Sequence, residues 1–312
     1  MDKITYSEIF RSLQGEGMYT GRNTVWLRFF GCNLNCSGFG QKDPTDPSTY
    51  ELPYKDFDIS TITKIEDLPV WSKGCDSSYS WSKKFKHLNY QGTAEEISNK
   101  IIDLLKSDIN PSGTFLHDKS QMETHLCFTG GEPLIPANQK AIIEILTQLS
   151  LHQGGIIPGT TKHKGNNFPR YVTFETNGTK ELTPEFLSFM RNHNQYIRIM
   201  FSVSPKLFTV SGEKNDKAIK PETVKSYITK VSSKGQLKFV LGTEDKQWNE
   251  LDEVVTRFRN AGIHWPVYIM PVGALEEDQQ KIAAKIADRA LANGYHVAAR
   301  VHAYIYGNAL GT

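Results

Sequence analysis

Apolar and polar positions along the chain follow two different periods. From about residue 93 onward, short apolar runs that suit buried strands alternate with stretches whose apolar residues recur at helical spacing. The run Thr93-Ala94-Glu95-Glu96 is typical of a capping box, in which an N-cap threonine and a glutamate three residues later satisfy backbone amides at a helix start. Strands that alternate with helices predict a parallel sheet with crossover helices, an α/β fold with an open sheet or a barrel.

The predicted strands are rich in β-branched and aromatic residues and cover 24–30, 125–128, 171–175, 198–203, 237–241, 267–270 and 296–301. The predicted helices begin at the capping box and continue at 138–149, 184–191, 221–231, 247–260 and 275–293. Three segments, 37–74, 151–170 and 207–220, interrupt this rhythm, and we expect long loops there. Because ligands bind at the carboxyl ends of strands in such folds, functional residues are expected directly after each strand.

Composition narrows the class of protein. The chain has 312 residues and a net charge of +2 from 36 basic and 34 acidic residues, a balance that does not favour a nucleic-acid or membrane surface. No apolar stretch approaches the ~20 residues that cross a bilayer, and the first residues do not resemble a secretory signal. We therefore expect a soluble, cytoplasmic protein with no direct nucleic-acid or membrane partner.

Four cysteines are the first candidates for chemistry, because they are too few for a disulfide scaffold in a chain of this length. Three residues separate Cys32 from Cys36, Cys75 lies far downstream, and Cys127 falls inside a predicted strand. This spacing suits a structural zinc site with four ligands, and it also suits an iron–sulfur cluster held by thiolates. Ordinary buried cysteines are a third interpretation.

Glycine-rich and polar motifs follow several predicted strands. Gly130-Gly131-Glu132-Pro133 lets the backbone approach a ligand closely and offers Glu132 to an ammonium group, although the same residues also make a tight turn. Glu175-Thr176-Asn177-Gly178 is either a polar strand end or a common Asn-Gly turn. Ser202-Val203-Ser204-Pro205-Lys206 places two hydroxyls and a lysine where they suit a ribose or a carboxylate, or it forms a surface loop.

Further candidates lie near the two ends of the chain. Within Ser12-Leu13-Gln14-Gly15-Glu16-Gly17, the amide of Gln14 can offer a donor and an acceptor to the edge of a heterocycle. Arg28 interrupts an apolar strand and is either a satisfied buried cation or a carboxylate clamp. His302, in the last predicted strand region, is either a packed or capping histidine or a catalyst.

In this order along the chain, the motifs resemble the radical S-adenosylmethionine (SAM) superfamily. Within it they are similar to the 7-carboxy-7-deazaguanine synthase family through Ile9–Gly17, Arg28, Gly31–Leu34, Cys75–Ser77, Gly130–Pro133, Glu175–Gly178, Ser202–Lys206 and Arg300–Gly307. The resemblance implies a single radical SAM domain over residues 1–312, folded as a partial, open parallel β/α barrel. Residues 37–74 are then an insertion within the cluster-binding loop.

The resemblance implies a 4Fe-4S cluster held by Cys32, Cys36 and Cys75. The superfamily pattern has only two residues between its second and third cysteines, and here that position is Phe39, which cannot ligate. Cys75 is assigned because Cys75-Asp76-Ser77 has the neighbours typical of the family. Cys127 is then a core or pocket-lining residue.

The remaining site residues are also implied by the resemblance. SAM is expected to contact Gly130, Gly131, Glu132, Ser202, Ser204, Pro205 and Lys206. The substrate is expected to contact Leu13, Gln14, Gly15, Arg28 and Thr129, with the arginine clamping its carboxylate. Ser77 is expected to bind Mg2+ through its hydroxyl, in line with the preference of Mg2+ for oxygen ligands. Glu16 and His302 are the expected catalytic residues.

The implied reaction converts 6-carboxy-5,6,7,8-tetrahydropterin to 7-carboxy-7-deazaguanine with loss of ammonia, a step of queuosine-type 7-deazapurine biosynthesis. Removal of an unactivated hydrogen needs a cofactor, which leaves orientation to the protein. The expected partners are the pterin, an electron donor such as flavodoxin, and a second copy of the chain in a homodimer. A glycyl-radical activase with the same cofactors and a non-catalytic zinc-binding module are the alternatives.

Overall fold

The computed structural model describes residues 2–117, 119–151, 168–307 and 310–311. Within them, one sheet has the strand order β3-β1-β2-β4-β5-β6-β7-β8-β9. Its strands are β1 (Ile4–Leu13), β2 (Asn23–Phe29), β3 (Tyr90–Gly92), β4 (His125–Gly130), β5 (Tyr171–Thr176), β6 (Arg198–Val203), β7 (Lys234–Leu241), β8 (Val267–Pro271) and β9 (His296–Val297). β2 and β4 to β9 are parallel, whereas β1 is antiparallel to β2 and β3. In the described part of the chain β3 and β9 are unpaired edges, so the predicted open α/β sheet is confirmed.

The helices are α1 (Pro53–Asp56), α2 (Ala94–Leu105), α3 (Pro136–Leu151), α4 (Pro184–His193), α5 (Phe208–Ser211), α6 (Asn215–Ala218), α7 (Pro221–Val231), α8 (Asp245–Asn260), α9 (Glu276–Ala292) and α10 (Val301–Tyr306). The predicted capping box is confirmed at α2, where the Thr93 hydroxyl accepts from the Glu96 amide and the Glu96 carboxylate accepts from the Thr93 amide. Helices α3, α4, α7, α8 and α9 connect successive parallel strands, as crossover connections require.

Stacked phenylalanines hold the centre of the sheet together. Phe29, Phe128, Phe174 and Phe201 lie on four neighbouring strands, and their ring centroids are 6.0, 5.7 and 5.1 Å apart in that order. All four are fully buried, and Tyr227 of α7 continues the stack at 4.5 Å. Because truncating a buried Phe costs about 3–5 kcal/mol, this ladder is a large part of what holds the strand ends that carry the site.

Several predictions about individual elements are wrong. The sheet begins with β1 rather than at residue 24, because Ser7 and Glu8 are buried polar residues that hide the alternation of a strand. The strand predicted at 296–301 ends at Val297, and the β-branched and aromatic residues that follow form α10. The 207–220 segment contains the one-turn helices α5 and α6 rather than an open loop.

The inserted segment has an apolar cluster of its own. Beyond α1 it contains only short 3-10 turns, at Pro47–Thr49, Ile65–Asp67, Ser78–Ser80 and Lys83–Leu88. They surround a separate group of buried side chains, the insert cluster: Tyr54, Ile65, Leu68, Trp71, Tyr79, Phe85 and Leu88. The cluster extends past the predicted boundary at residue 74, so we use the term inserted segment for residues 37–88.

The loop predicted at 151–170 falls mostly on residues 152–167, which lie outside the described residues. None of the helices among the described residues combines the length and apolar character that a membrane crossing requires.

Candidate active site

A cavity of about 290 Å³ opens at the carboxyl ends of the parallel strands, the edge at which ligands bind in open α/β sheets. The predicted site residues that line it are Leu13, Gln14, Glu16, Arg28, Cys32, Cys36, Cys75, Ser77, Thr129, Gly130, Gly131, Ser204, Lys206 and His302. The predicted residues that do not line it are Gly15, Glu132, Ser202 and Pro205. The structure therefore gathers most of the predicted residues, from across the whole chain, around one space.

The three cysteines lie together at one end of this cavity, which we call the cysteine end. Cys32 and Cys75 pack against an apolar cluster that contains Cys36, Leu34 and Ala218. The cysteines reach this place from two directions, because Cys32 and Cys36 follow β2 whereas Cys75 belongs to the inserted segment. The large separation of Cys75 in sequence is thus compatible with a shared site.

The loop that carries Cys36 is held by Glu213, which sequence reasoning missed. One oxygen of the Glu213 carboxylate accepts from the backbone amides of Asn35 at 2.6 Å and Cys36 at 2.8 Å. Cys36 has a φ of 50°, in the left-handed region that a non-glycine residue occupies only when its surroundings enforce it. The 207–220 segment therefore fixes the conformation of the cysteine loop.

Burial controls the acidity of the three thiols. It raises the pKa of Cys32 to about 12 and that of Cys75 to about 11, and it raises the pKa of Cys36 well above its usual value. Lys206 is a nearby cation that opposes the shift at each thiol. Since the thiolate is the form that binds metal, a bound metal would have to displace these protons and supply the missing positive charge.

Three of the four cysteines line the cavity, and an iron–sulfur cluster would bind each of their thiolates to a different iron. Within the described residues, no group of three or more His, Cys, Asp or Glu side chains is placed to hold one metal ion. Cys127 is fully buried and does not line the cavity, so it lies in the core.

The Gly-Gly-Glu-Pro motif brings two loops into contact. A Cβ on Gly131 would lie 2.3 Å from the backbone oxygen of Gly31, so no larger residue fits there. The Glu132 carboxylate is fully buried and accepts from Thr176 Oγ1 at 2.6 Å and from the amides of Asn177 and Leu134. The expectation that this carboxylate pairs with a ligand's ammonium group is not met, because its oxygens tie the turn to β5.

The two serines after β6 have different surroundings. Ser202 is fully buried and accepts a hydrogen bond from Gln236 Nε2 at 2.8 Å, so its hydroxyl faces the protein interior rather than the cavity. Ser204 lines the cavity and accepts from Lys206 Nζ at 2.8 Å. The structure therefore separates the two hydroxyls that the sequence placed together, and it leaves the Ser204–Lys206 pair at the cavity wall.

A second part of the cavity wall, which we call the charged end, is built around Lys238. Its Nζ lies 2.5 Å from Glu16 Oε2 and 3.0 Å from Glu175 Oε2, with the lysine side chain 6% exposed. Arg300 approaches Glu16 at 3.4 Å. The amide of Gln14 donates to Glu175 and accepts from the backbone of Glu16, so this amide is already occupied by protein partners.

Charge pairing keeps Glu16 and Lys238 ionised. Burial opposes the ionisation of Glu16, but Lys238 and Arg300 outweigh it and lower the pKa of Glu16 to about 2. Burial likewise disfavours the charged form of Lys238, yet Glu16 and Glu175 raise its pKa above the usual value. Burial lowers the pKa of His302, which favours the neutral imidazole. The charged end thus offers the ionised Glu16 carboxylate as an acceptor, already balanced by Lys238 and Arg300.

Gly15 acts by making room for His302. A Cβ at Gly15 would lie 1.8 Å from His302 Nδ1, and the Gly15 carbonyl accepts from the amide of Val301. His302 therefore reaches the cavity from the first turn of α10 and not from a strand. The glycine motif near the N-terminus and the histidine near the C-terminus form one structural unit.

Sequence reasoning missed Glu213, Lys238 and Arg300 as parts of the site. Lys238 gave a usable signal, because a lysine inside the apolar run of β7 is as unusual as Arg28 inside β2. Glu213 carried no comparable signal, since it lies in a polar stretch where charged residues are common. Arg300 was part of the Arg300–Gly307 motif, but no role was assigned to it.

The sequence is similar to curated proteins over its whole length. A 7-carboxy-7-deazaguanine synthase of Rhodopirellula baltica is 26% identical over 320 residues, which cover 99% of this chain and 89% of that protein. Over 99% of its length the chain is thus similar to a 7-carboxy-7-deazaguanine synthase. The synthase of Pyrobaculum aerophilum is 25% identical over 310 residues, which cover 99% of this chain and 97% of that protein.

The other comparisons are shorter or more distant. The synthase of Methanothermobacter thermautotrophicus is 49% identical over 58 residues, 19% of this chain and 22% of that protein. The crystal structure of QueE from Escherichia coli has a TM-score of 0.49 and 16% identity, and the alignment covers 95% of this chain and 93% of that one. No protein-family model matches the sequence.

Proposed function

We propose that this chain is a radical SAM lyase that converts 6-carboxy-5,6,7,8-tetrahydropterin to 7-carboxy-7-deazaguanine with loss of ammonia. The observation that carries the proposal is the single cavity whose wall brings together three cysteines with Arg28, Glu16 and His302. Similarity to the synthases over 99% of the chain supports it.

The cysteine end would hold the cofactors. Cys32, Cys36 and Cys75 would bind a 4Fe-4S cluster, and Gly130, Gly131, Ser204 and Lys206 would contact SAM. When bound, the reduced cluster and SAM supply a radical that removes an unactivated hydrogen, a step beyond any protein base. Ser77, which lines the same cavity, would contribute a hydroxyl to Mg2+.

The rest of the cavity would bind and orient the pterin. Arg28 would pair with the substrate carboxylate, since a guanidinium matches a carboxylate in shape and charge. Glu16 and Glu175 would accept hydrogen bonds from ring N–H groups, because their ion pairs with Lys238 hold both carboxylates in place. His302, favoured as a neutral imidazole by its burial, can accept a proton at the cavity wall.

The proposal includes the expected surroundings of the enzyme. It acts in the cytoplasm as one domain over residues 1–312, assembles as a homodimer, and takes electrons from a donor such as flavodoxin. Its direct partner is a small-molecule pterin rather than a nucleic acid or a membrane.

Product formation tests the proposal. The chain is purified without oxygen, its cluster is reconstituted and reduced with dithionite, and SAM, Mg2+ and 6-carboxytetrahydropterin are added. We expect mass spectrometry to detect 7-carboxy-7-deazaguanine and released ammonia, with SAM regenerated rather than consumed. A fully reconstituted protein that gives no deazapurine contradicts the proposed reaction.

A further inference from the structure

Arg28 is held at one edge of its guanidinium. Its Nε donates to Glu8 Oε2 at 2.7 Å, and its Nη1 lies 3.4 Å from the Ser77 hydroxyl. A carboxylate beside an arginine commonly binds two nitrogens at once, one with each oxygen. Here Glu8 uses one oxygen, and its Oε1 is buried with no hydrogen-bond partner among the described residues. This arrangement leaves the terminal nitrogens of Arg28 without a carboxylate partner at the cavity wall.

Tyr79 explains why Glu8 is held in this way. The Tyr79 hydroxyl donates to the same Glu8 Oε2 at 2.8 Å, and the tyrosine is 2% exposed. The Tyr79 ring also lies under the guanidinium, with Arg28 Cζ 5.7 Å from the ring centroid.

These contacts connect Arg28 to the inserted segment. Tyr79 belongs to the insert cluster, where it packs with residues such as Phe85 and Trp71. Its hydroxyl reaches β1, and Glu8 of β1 faces Arg28 across the antiparallel pair with β2. The insert cluster, whose members lie on both sides of Cys75 in the sequence, therefore also determines how the arginine is presented.

We propose that Tyr79 is a positioning residue, which holds Glu8 on the Nε edge of Arg28 and thereby keeps the terminal nitrogens without a protein carboxylate, so that the carboxylate of a pterin can bind them. The identity of this ligand rests on the proposed function. Without the Tyr79 hydroxyl, Glu8 can turn and use both oxygens on Arg28, which would compete with the ligand's carboxylate. The inserted segment thus acts as a specificity element for carboxylated substrates.

Binding of two stable probes tests this role. Pterin-6-carboxylate and unsubstituted pterin are titrated into the full-length holoprotein, and affinity is read from pterin fluorescence, which requires no turnover. Tyr79→Phe keeps the ring and loses the hydroxyl. We expect it to weaken binding of pterin-6-carboxylate about 10-fold, as for a lost hydrogen bond to a charged group, and to leave pterin unchanged within about twofold. In the reaction the same variant should raise KM with kcat nearly constant.

Tyr227→Phe is the matched control, because it removes a buried hydroxyl that donates to the Lys180 carbonyl outside the cavity. Equal weakening of both probes by Tyr79→Phe, or no weakening of either, overturns the positioning role. A wild-type protein that shows no preference for the carboxylated probe also overturns it. If the wild type prefers the carboxylated probe and Tyr79→Phe loses that preference, but no deazapurine forms, the proposed reaction fails and the role of Tyr79 stands.

Discussion

The two ends of the cavity differ in how their charged and ionisable groups are balanced. At the cysteine end, three thiols lie in apolar surroundings, and their pKa values are raised by burial, with Lys206 as the nearby cation. At the charged end, Lys238 and Arg300 balance Glu16 and Glu175 within the protein. The cysteine end therefore needs a bound metal to stabilise thiolates, whereas the charged end is electrostatically complete before any ligand arrives.

Because of this difference, the two ends of the cavity suit two different kinds of ligand. A balanced network of acceptors and donors suits a hydrogen-bonding heterocycle, which it can orient without rearranging its own charges. A set of buried, protonated thiols suits a group that brings its own positive charge. Each end can be tested by substitutions that should leave the other end intact.

The largest expected effect is loss of the cluster. Cys75→Ala should reduce the iron of the reconstituted protein from about four per chain to almost none, because three thiolates are needed to hold the cluster. Iron and sulfide analysis after anaerobic reconstitution measures this. Cys127→Ala is the control and should retain the iron. Loss of iron in Cys127→Ala with retention in Cys75→Ala would overturn the ligand assignment.

Removing the central cation should strongly weaken the charged end. Lys238→Met leaves two largely buried carboxylates side by side, with only Arg300 near Glu16 as a counter-charge, so the free energy of unfolding should fall by about 3 kcal/mol. Urea unfolding measures the change. Lys281→Met, which removes an exposed partner of Asp278, should change it by less than about 1 kcal/mol. Equal effects of the two variants would show that the Lys238 network does not stabilise the fold.

The pH dependence of the free energy of unfolding should reveal the ionisation of Glu16. Its pKa in the folded protein is about 2, below the usual 4.5, so its ionisation stabilises the fold above pH 4.5 and this contribution is lost as the pH falls toward 2. Glu16→Gln should cost about 2–3 kcal/mol near neutral pH, and its difference from the wild type should shrink on acidification over that range. Unfolding curves at several pH values measure this. A difference that does not change with pH contradicts the pairing.

The smallest of these effects concerns the support of the cysteine loop. Glu213→Ala leaves the amides of Asn35 and Cys36 without their acceptor, which should lower the free energy of unfolding by about 1–2 kcal/mol and speed the loss of iron. Glu222→Ala, at an exposed ion pair with Lys225, is the control and should change neither quantity measurably. Unchanged iron retention in Glu213→Ala would show that this carboxylate does not hold the loop.

Local patterns were sufficient to predict much of the sheet. The bounds of β6 and α7 agree with the predicted 198–203 and 221–231, because their apolar periodicity is contained in the segments themselves. The contacts that complete the site are not local. Glu213 meets Cys36 across 177 positions, and Lys238 meets Glu16 across 222. Such pairs depend on the folded topology, so neither partner's own stretch of sequence indicates the other.

The structure of the inserted segment also could not be predicted from local patterns. Its residues have no regular period, so a long loop was the reasonable expectation for 37–74, and the insert cluster forms through contacts between separated aromatic and aliphatic side chains. That cluster brings Cys75 to the cysteine end and Tyr79 to Glu8. The insert cluster combines residues from 37–74 with residues after Cys75, and it therefore contributes to both ends of the cavity.

The central claim is that one cavity binds the cluster with SAM at the cysteine end and the pterin at the charged end. A crystal structure of the anaerobically reconstituted protein with SAM, Mg2+ and 6-carboxytetrahydropterin tests it most directly. We expect the cluster on Cys32, Cys36 and Cys75, with the pterin carboxylate against the terminal nitrogens of Arg28. A cluster that uses Cys127, or a pterin bound away from Arg28, would contradict the account.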